Sequence, residues 1–200
     1  LPEQRRIASI LDEVDALRTA RRTAISRSGL VIAEALSGIS ASSDLTELGD
    51  LVEEFRYGTS AKSGPTGLPV LRIPNVSGRS LDFRDLKFVE LPQAEVDRLK
   101  LHPGDLLIVR SNGNPDLVGA TAMFQIPDQR TYVYASYLIR ARPRRLVVPI
   151  YLAHYLSSPA GRAALRAGAR TSAGQYNINT KALAAIKVPV PALAVQLDFA

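Results

Sequence analysis

Apolar residues recur every seven positions near the start of the chain. Ile7 and Val14 are one such set; Ile10, Leu17 and Ala24 are another, with Leu11 and Ile25 beside them. This is an a/d seam sustained over roughly three heptads, and it predicts a long helix from Glu3 to about Leu36. The flanks are charged: Arg5, Arg6, Asp12, Glu13, Asp15, Arg18, Arg21, Arg22 and Arg27. Pro2 and Glu3 suit a first helical turn, where a missing N–H costs nothing and a negative charge meets the positive end of the dipole. Twenty-five such residues would span about 37 Å. A helix of that length cannot bury a narrow seam against itself. Helices that lie on their own domain show a wider apolar face, so the pattern points to a partner helix, in the same molecule or another, with Ile7, Ile10, Val14 and Leu17 as the pairing residues.

Ser37 to Asp44 is small and polar and reads as a linker. Thr46 to Val52 reads as a short capped helical turn. Beyond it the periodicity changes. Strand-like runs at Leu68–Pro74, Lys87–Leu91, Asp105–Val109, Ala120–Ile126, Tyr134–Ala141 and Ile186–Val190 are separated by turn residues. Two late helices are expected at Pro149–Ser157 and Pro159–Ala167, each opened by proline, and a third from the cap Asn179 to Ala184. The fold class is therefore α+β: a long N-terminal helix of coiled-coil type over residues 1–39, then a mixed α/β domain over 40–191. Residues 192–200 look like a second start of the first helix. Leu193, Gln196 and Ala200 match Leu1, Gln4 and Ala8 at a constant offset, and Phe199 stands opposite Ile7.

The chain has no Cys and only two His, which argues against disulfides and a structural zinc site, and it opens on a polar segment with no apolar run of membrane-spanning length. A cytoplasmic protein with no membrane association is expected. The net charge of +6 is unevenly placed. Residues 1–130 carry 16 Lys/Arg against 18 Asp/Glu, whereas residues 131–200 carry 9 against 1. A basic final third suggests a polyanionic partner.

No catalytic constellation is visible. His102 sits in a Pro-Gly turn and His154 in an apolar helix, neither with a partner for nucleophilic chemistry. Asn114-Pro115-Asp116-Leu117 lacks the second proline and the aromatic that a loop stacking on a flipped adenine would need, and it reads as a turn. What stands out instead is three polar loops between strands: Arg56–Gly64, Arg110–Asn114 and Arg170–Asn177. Each mixes a cation, small hydroxyls and amides, the groups that hold phosphates and read base edges. The candidate DNA contacts are Tyr57, Thr59, Ser60, Lys62, Arg110, Asn112, Arg170, Gln175, Tyr176 and Asn177. Arg110 or Arg170 suits guanine, Gln175 or Asn177 suits adenine, and Lys62 suits phosphate.

Several segments together resemble the DNA-specificity subunit of type I restriction–modification systems. They are the opening Leu1-Pro2-Glu3-Gln4-Arg5-Arg6-Ile7, the Tyr57-Gly58-Thr59-Ser60 loop with Lys62, Pro69–Val76, the Gly104-Asp105-Leu106-Leu107-Ile108 turn and strand, and Gly174–Asn179 followed by Ile186–Pro191. The resemblance implies a non-catalytic subunit with two target-recognition domains, whose conserved helices pair as an antiparallel coiled coil and set the spacing of two half-sites. It implies double-stranded DNA, methyltransferase subunits and a motor-nuclease subunit as partners. It implies no cofactor on this chain, S-adenosylmethionine belonging to the methyltransferase subunits. One recognition domain is present here, so the chain is expected to be either an excerpt of a two-domain subunit or a half-subunit that dimerises through its helix. Two alternatives are an assembly scaffold whose heptad helix is the active part, with incidental DNA contact, and an enzyme such as a nuclease.

Overall fold

The computed structural model describes residues 2–172 and 174–199. Leu1, Ala173 and Ala200, which the sequence assigns to the first helix, the third loop and the second helical start, lie outside the described residues, as does the side chain of Ile25. The chain divides between Ala41 and Ser42 into two units.

The first unit is made of the helix α1 (Pro2–Ser42), 41 residues long, whose last residue is counted with the second unit. It runs through most of the segment expected to be a linker, ending at Ser42. Ser and Ala of the kind found at 37–42 cost a helix only tenths of a kcal/mol each, so composition alone does not stop it. Ile7, Ile10 and Leu17 of its seam are 50%, 50% and 70% exposed.

The second unit runs, in chain order, through β1 (Leu45–Glu47), α2 (Leu48–Leu51), β2 (Val52–Tyr57), β3 (Leu68–Leu71), β4 (Val76–Ser77), β5 (Ser80–Leu81), β6 (Lys87–Val89), α3 (Gln93–Leu99), β7 (Leu106–Val109), β8 (Ser111–Asn112), β9 (Thr121–Met123), β10 (Val133–Tyr134), β11 (Leu138–Pro143), α4 (Pro149–Ser157), α5 (Pro159–Gly168), β12 (Arg170–Ser172), β13 (Gln175–Asn177), α6 (Thr180–Ala184), β14 (Lys187–Pro189) and α7 (Leu193–Leu197). The expected strand Tyr134–Ala141 is two strands, β10 and β11, with a turn between them. The expected helical turn at Thr46–Val52 begins as strand β1 and becomes helical at Leu48.

An antiparallel sheet in the order β2-β11-β7-β9 forms the centre. Its strand β7, Leu106-Leu107-Ile108-Val109, is buried at every position, which explains a continuous apolar run where a half-exposed strand would alternate. A second sheet, β10-β3-β6, pairs β10 with β3 in parallel and β3 with β6 antiparallel. Between the sheets pack Val70, Leu71, Val89, Leu107, Phe124, Tyr132, Val133, Tyr134 and Leu138. Phe83, Phe124 and Tyr132 meet edge-on or tilted within 6.4 Å of one another.

Polar anchors fix this core. Arg140 is 1% exposed; its guanidinium donates to the carbonyls of Arg98 and Lys100 and to the Glu54 carboxylate. Asp105, also 1% exposed, closes the turn before β7 by accepting from His102 N. It also takes Arg142 through both oxygens at 2.8 Å. Gly104 in that turn has φ of +88°, a left-handed conformation that favours glycine. On the far side, α4 clamps β14: the Tyr151 hydroxyl donates to Pro189 O and that of Tyr155 to Lys187 O. The Pro149, Pro159 and Asn179 starts fall as expected, and Asn179 Oδ1 accepts from Ala182 N at 2.8 Å.

Candidate nucleic-acid interface

The first polar loop leaves β2 at Tyr57 and turns at Gly58. A Cβ on Gly58 would stand 2.2 Å from Tyr134 O and 2.5 Å from Ala135 O. Only glycine lets the loop lie flush on the turn after β10. The contact is secured by Thr59 N donating to Tyr134 O and Ser136 N donating to Thr59 O. Thr59 itself is 6% exposed and its hydroxyl accepts from Ala61 N. Of the residues expected to contact DNA, Thr59 is thus buried, and its backbone and hydroxyl shape the loop. Ser60 and Lys62 are exposed.

The second and third loops are partly strand. β8, from the second, and β12 and β13, from the third, form one antiparallel sheet in the order β12-β13-β8. The β12–β13 hairpin pairs Ser172 with Gln175 and Arg170 with Asn177, and Gly174 takes φ of +75°. Tyr176 lies opposite Asn112 and Asn177 opposite Ser111. Residues directly opposite one another share a face of a sheet, and successive residues alternate. Arg170, Gln175 and Asn177 thus belong to one face, Tyr176 and Asn112 to the other. Gln175 Oε1 accepts from the Ser111 hydroxyl at 3.1 Å. Asn112 Oδ1 is occupied locally, accepting from Asn114 N at 2.8 Å. These segments were expected as loops because small polar residues rarely announce a strand. The β12–β13 hairpin is local, but its partner β8 comes from far along the chain.

Arg110 joins all three pieces. Its N–H donates to Tyr137 O, its carbonyl accepts from Ile178 N, and its guanidinium lies 4.7 Å over the Tyr57 ring. The Tyr57 hydroxyl in turn accepts from Thr180 N at 3.3 Å. Tyr57, Arg110 and the β13–α6 junction are consequently one contiguous edge. Behind it, α5 holds the rest of the second loop: Arg162 donates to the carbonyls of Asp116 and Val118, and Arg166 pairs with the Asp116 carboxylate at 2.7 Å.

These contacts change the reading of the basic final third. Arg140, Arg142, Arg144, Arg162, Arg166 and Lys187 all donate to protein groups. Among the described residues, Arg144, Arg145, Arg170 and Lys181 are the exposed cations of that third left without an ion pair, Arg144 donating instead to the Val52 carbonyl.

Tyr137 is a residue that sequence reasoning missed. It occupies the turn between β10 and β11, is 58% exposed, and sits where the first and second loops meet. Only the β10–β11 break exposes it, and the run Tyr134–Ala141 concealed that break. A concavity beside it is lined by Ser60, Ser63, Arg72, Pro74 and Ser136. Among the described residues, no group of three or more His, Asp or Glu could hold a metal ion, and no helix is long and apolar enough to cross a membrane.

No protein-family model matches the chain. It is 32% identical over 151 residues to the type I restriction enzyme EcoKI specificity subunit of Escherichia coli K12, covering 74% of this chain and 32% of that protein. It is 30% identical over 132 residues to the StySPI specificity subunit of Salmonella potsdam, covering 64% and 27%. The chain thus spans about a third of the length of these relatives. A solved structure from a study of assembly and conformational transition of the type I R-M system superposes with a TM-score of 0.63 at 21% identity, over 98% of this chain and 49% of that one. The crystal structure of the HsdS subunit from Thermoanaerobacter tengcongensis gives a TM-score of 0.59 at 21% identity, over 100% and 49%. Those two likenesses show the fold, a long helix followed by a mixed-sheet domain. Sequence and fold agree: the chain is a homologue of the specificity subunits of type I restriction enzymes, matched over a region the size of one target-recognition domain.

Proposed function

We propose that this domain reads a DNA sequence as part of the specificity component of a type I restriction–modification complex and performs no chemistry itself. The observation that carries the reading is the convergence of the three polar loops. They are far apart in sequence, yet the β12-β13-β8 sheet and the Arg110–Tyr57 stack tie them into one edge. Tyr57, Ser60, Lys62, Arg170 and Gln175 are exposed there, with Arg110 and Asn177 partly so. Arg170, Gln175 and Asn177, on one face of the small sheet, can offer donors to base edges, while Lys62 holds phosphate. The same reading needs no cofactor on this chain; S-adenosylmethionine belongs to methyltransferase subunits that modify the DNA. Those subunits and a motor-nuclease subunit are the protein partners it implies.

The test is selection from a double-stranded DNA library with a randomised centre, followed by binding of the selected duplex over a range of salt. A defined motif should emerge, and log K should fall linearly with log salt. Gln175→Ala should relax one position of the motif, and Lys62→Ala should weaken all sequences alike. Enrichment of no motif would sink the reading.

A second role rests on α1. Its seam residues Ile7, Ile10 and Leu17 are half or more exposed, and Val14 completes the heptad set. In this reading the helix pairs with another of its kind, within a parent subunit or in a twin copy, and fixes the distance between two reading domains.

A further inference from the structure

Tyr137 stands out among exposed aromatic residues because everything around its backbone is fixed. Its carbonyl accepts from Arg110 N, the preceding Ser136 N donates to Thr59 O, and Ala135 N donates to Leu71 O. Leu138 N closes the turn onto Ala135 O. Three distant segments thus hold a short, internally closed turn, and the turn presents a ring that is 58% exposed. The exposed Tyr57 nearby is engaged: its ring is stacked by Arg110 and its hydroxyl accepts from Thr180 N. The Tyr137 ring and hydroxyl have no partner among the described residues.

Its position is central. Through its carbonyl it adjoins Arg110, and through Ser136 it adjoins the first loop, so it lies between the first and second sets of candidate contacts. A rigid tyrosine loses little conformational entropy on binding, and its ring gains free energy by covering apolar surface. Within a stacked duplex the faces of the bases are covered by their neighbours. Of the groups displayed on major-groove edges, the 5-methyl of thymine is the apolar one.

We propose that Tyr137 is a specificity-determining residue that packs its ring on the 5-methyl group of a thymine in the DNA target. The proposal rests on the DNA-reading function above and deepens it. The hydroxyl is dispensable in this contact and the ring is not.

The experiment uses the whole chain and the same randomised duplex library. The unsubstituted protein should enrich a motif containing at least one thymine. Tyr137→Phe should enrich the same motif. Tyr137→Ala should lose preference at that thymine and its base pair while keeping the other positions. Replacing the thymine by deoxyuridine removes only the methyl; it should weaken the unsubstituted protein about fourfold, the value of one buried methyl group. The same replacement should leave Tyr137→Ala unaffected, so that the two losses do not add. Because the side chain is exposed, the variants should keep the melting midpoint of the parent, and Tyr137→Phe serves as a second probe should Ala disturb the turn. The proposal is overturned if Tyr137→Ala selects the identical motif, if deoxyuridine weakens both proteins equally, or if Tyr137→Ala loses only capture of a methyltransferase subunit. Absence of any motif for the unsubstituted chain would instead refute the DNA-reading function itself.

Discussion

The guanidinium of Arg110 lies 4.7 Å over the ring of Tyr57, and this stack couples two loops that the sequence separates widely. An exposed cation–π contact is worth about 0.5–1 kcal/mol. Its greater effect is on orientation, because Arg110 also carries the backbone bonds to Tyr137 and Ile178. Tyr57→Ala should weaken binding of a selected duplex by at least two- to fivefold, as read by fluorescence anisotropy. Tyr57→Phe, which keeps the ring and loses only the acceptor for Thr180 N, should stay within a factor of two.

Gly58 has no freedom to accept a side chain. Its missing Cβ would lie 2.2 Å from Tyr134 O, and the backbone on both sides is hydrogen-bonded. Gly58→Ala should cost about 1–3 kcal/mol through forced backbone shift. For a chain of this size that lowers the melting midpoint by roughly 2–4 °C per kcal/mol. DNA binding should fall as well, since the first loop must move away from Tyr137. An unchanged midpoint and affinity would show that the close approach is not needed.

Salt dependence should separate cations that meet DNA from those that hold the fold. Each phosphate contact contributes a slope of about −0.9 in log K against log salt. Lys62→Ala should make the slope shallower by about that amount. Arg142 is bound through two hydrogen bonds to the buried Asp105. Arg142→Gln should leave the slope alone and cost about 3 kcal/mol of stability, because a buried carboxylate loses its partner.

That contrast marks where sequence reading stops. The late helices were legible because local rules decide them: Pro149 and Pro159 occupy first turns, and Asn179 caps α6. Strand β7 was legible from its unbroken apolar run. The charge of the final third was legible as a number but not as a surface, since Arg140 finds Glu54 and Arg162 finds Asp116 only through tertiary contacts. Strand β13 was hidden for the same reason. Gln175-Tyr176-Asn177 has no alternating apolar pattern, and its strand character comes from pairing with β8 and β12. Of the site, the three loops could be named from composition. Their joining, the inward turn of Thr59 and the exposure of Tyr137 depend on how distant strands meet.

Stability should decline at mildly acidic pH. Arg79 donates to His154 Nδ1 at 3.1 Å, so that nitrogen is unprotonated, and His154 also lies against the Phe199 ring. Burial first, and Arg79 second, hold its pKa below the ordinary histidine value. His102 is lowered too, by burial and then by Arg142. A lowered histidine means that the unfolded chain binds the proton more readily than the folded one. Stability is therefore complete above the unfolded pKa of about 6.5 and falls as pH drops below it. Melting midpoints measured from about pH 7.5 to pH 5.5 should fall for the parent protein. His154→Gln, which keeps an acceptor for Arg79 but cannot titrate, should flatten part of that fall; an unaltered pH profile would exclude His154 as the source.

Helix α1 provides the last prediction. Ile7, Ile10 and Leu17 are 50%, 50% and 70% exposed along one seam, and leaving three large aliphatic side chains in water forgoes about 1.5–3 kcal/mol each on full burial. A twin helix can cover them through the same heptad positions, with the charged flanks remaining in solvent. Sedimentation velocity should therefore show the chain passing from monomer to dimer as concentration rises. Val14→Asp with Leu17→Asp places two carboxylates in the seam and should hold the chain monomeric. The doubly substituted chain should still select the same DNA motif from the library, because the three reading loops all belong to residues 42–200. Persistence of the dimer would move the pairing surface away from α1, whereas loss of the motif would show that reading itself depends on the paired helix.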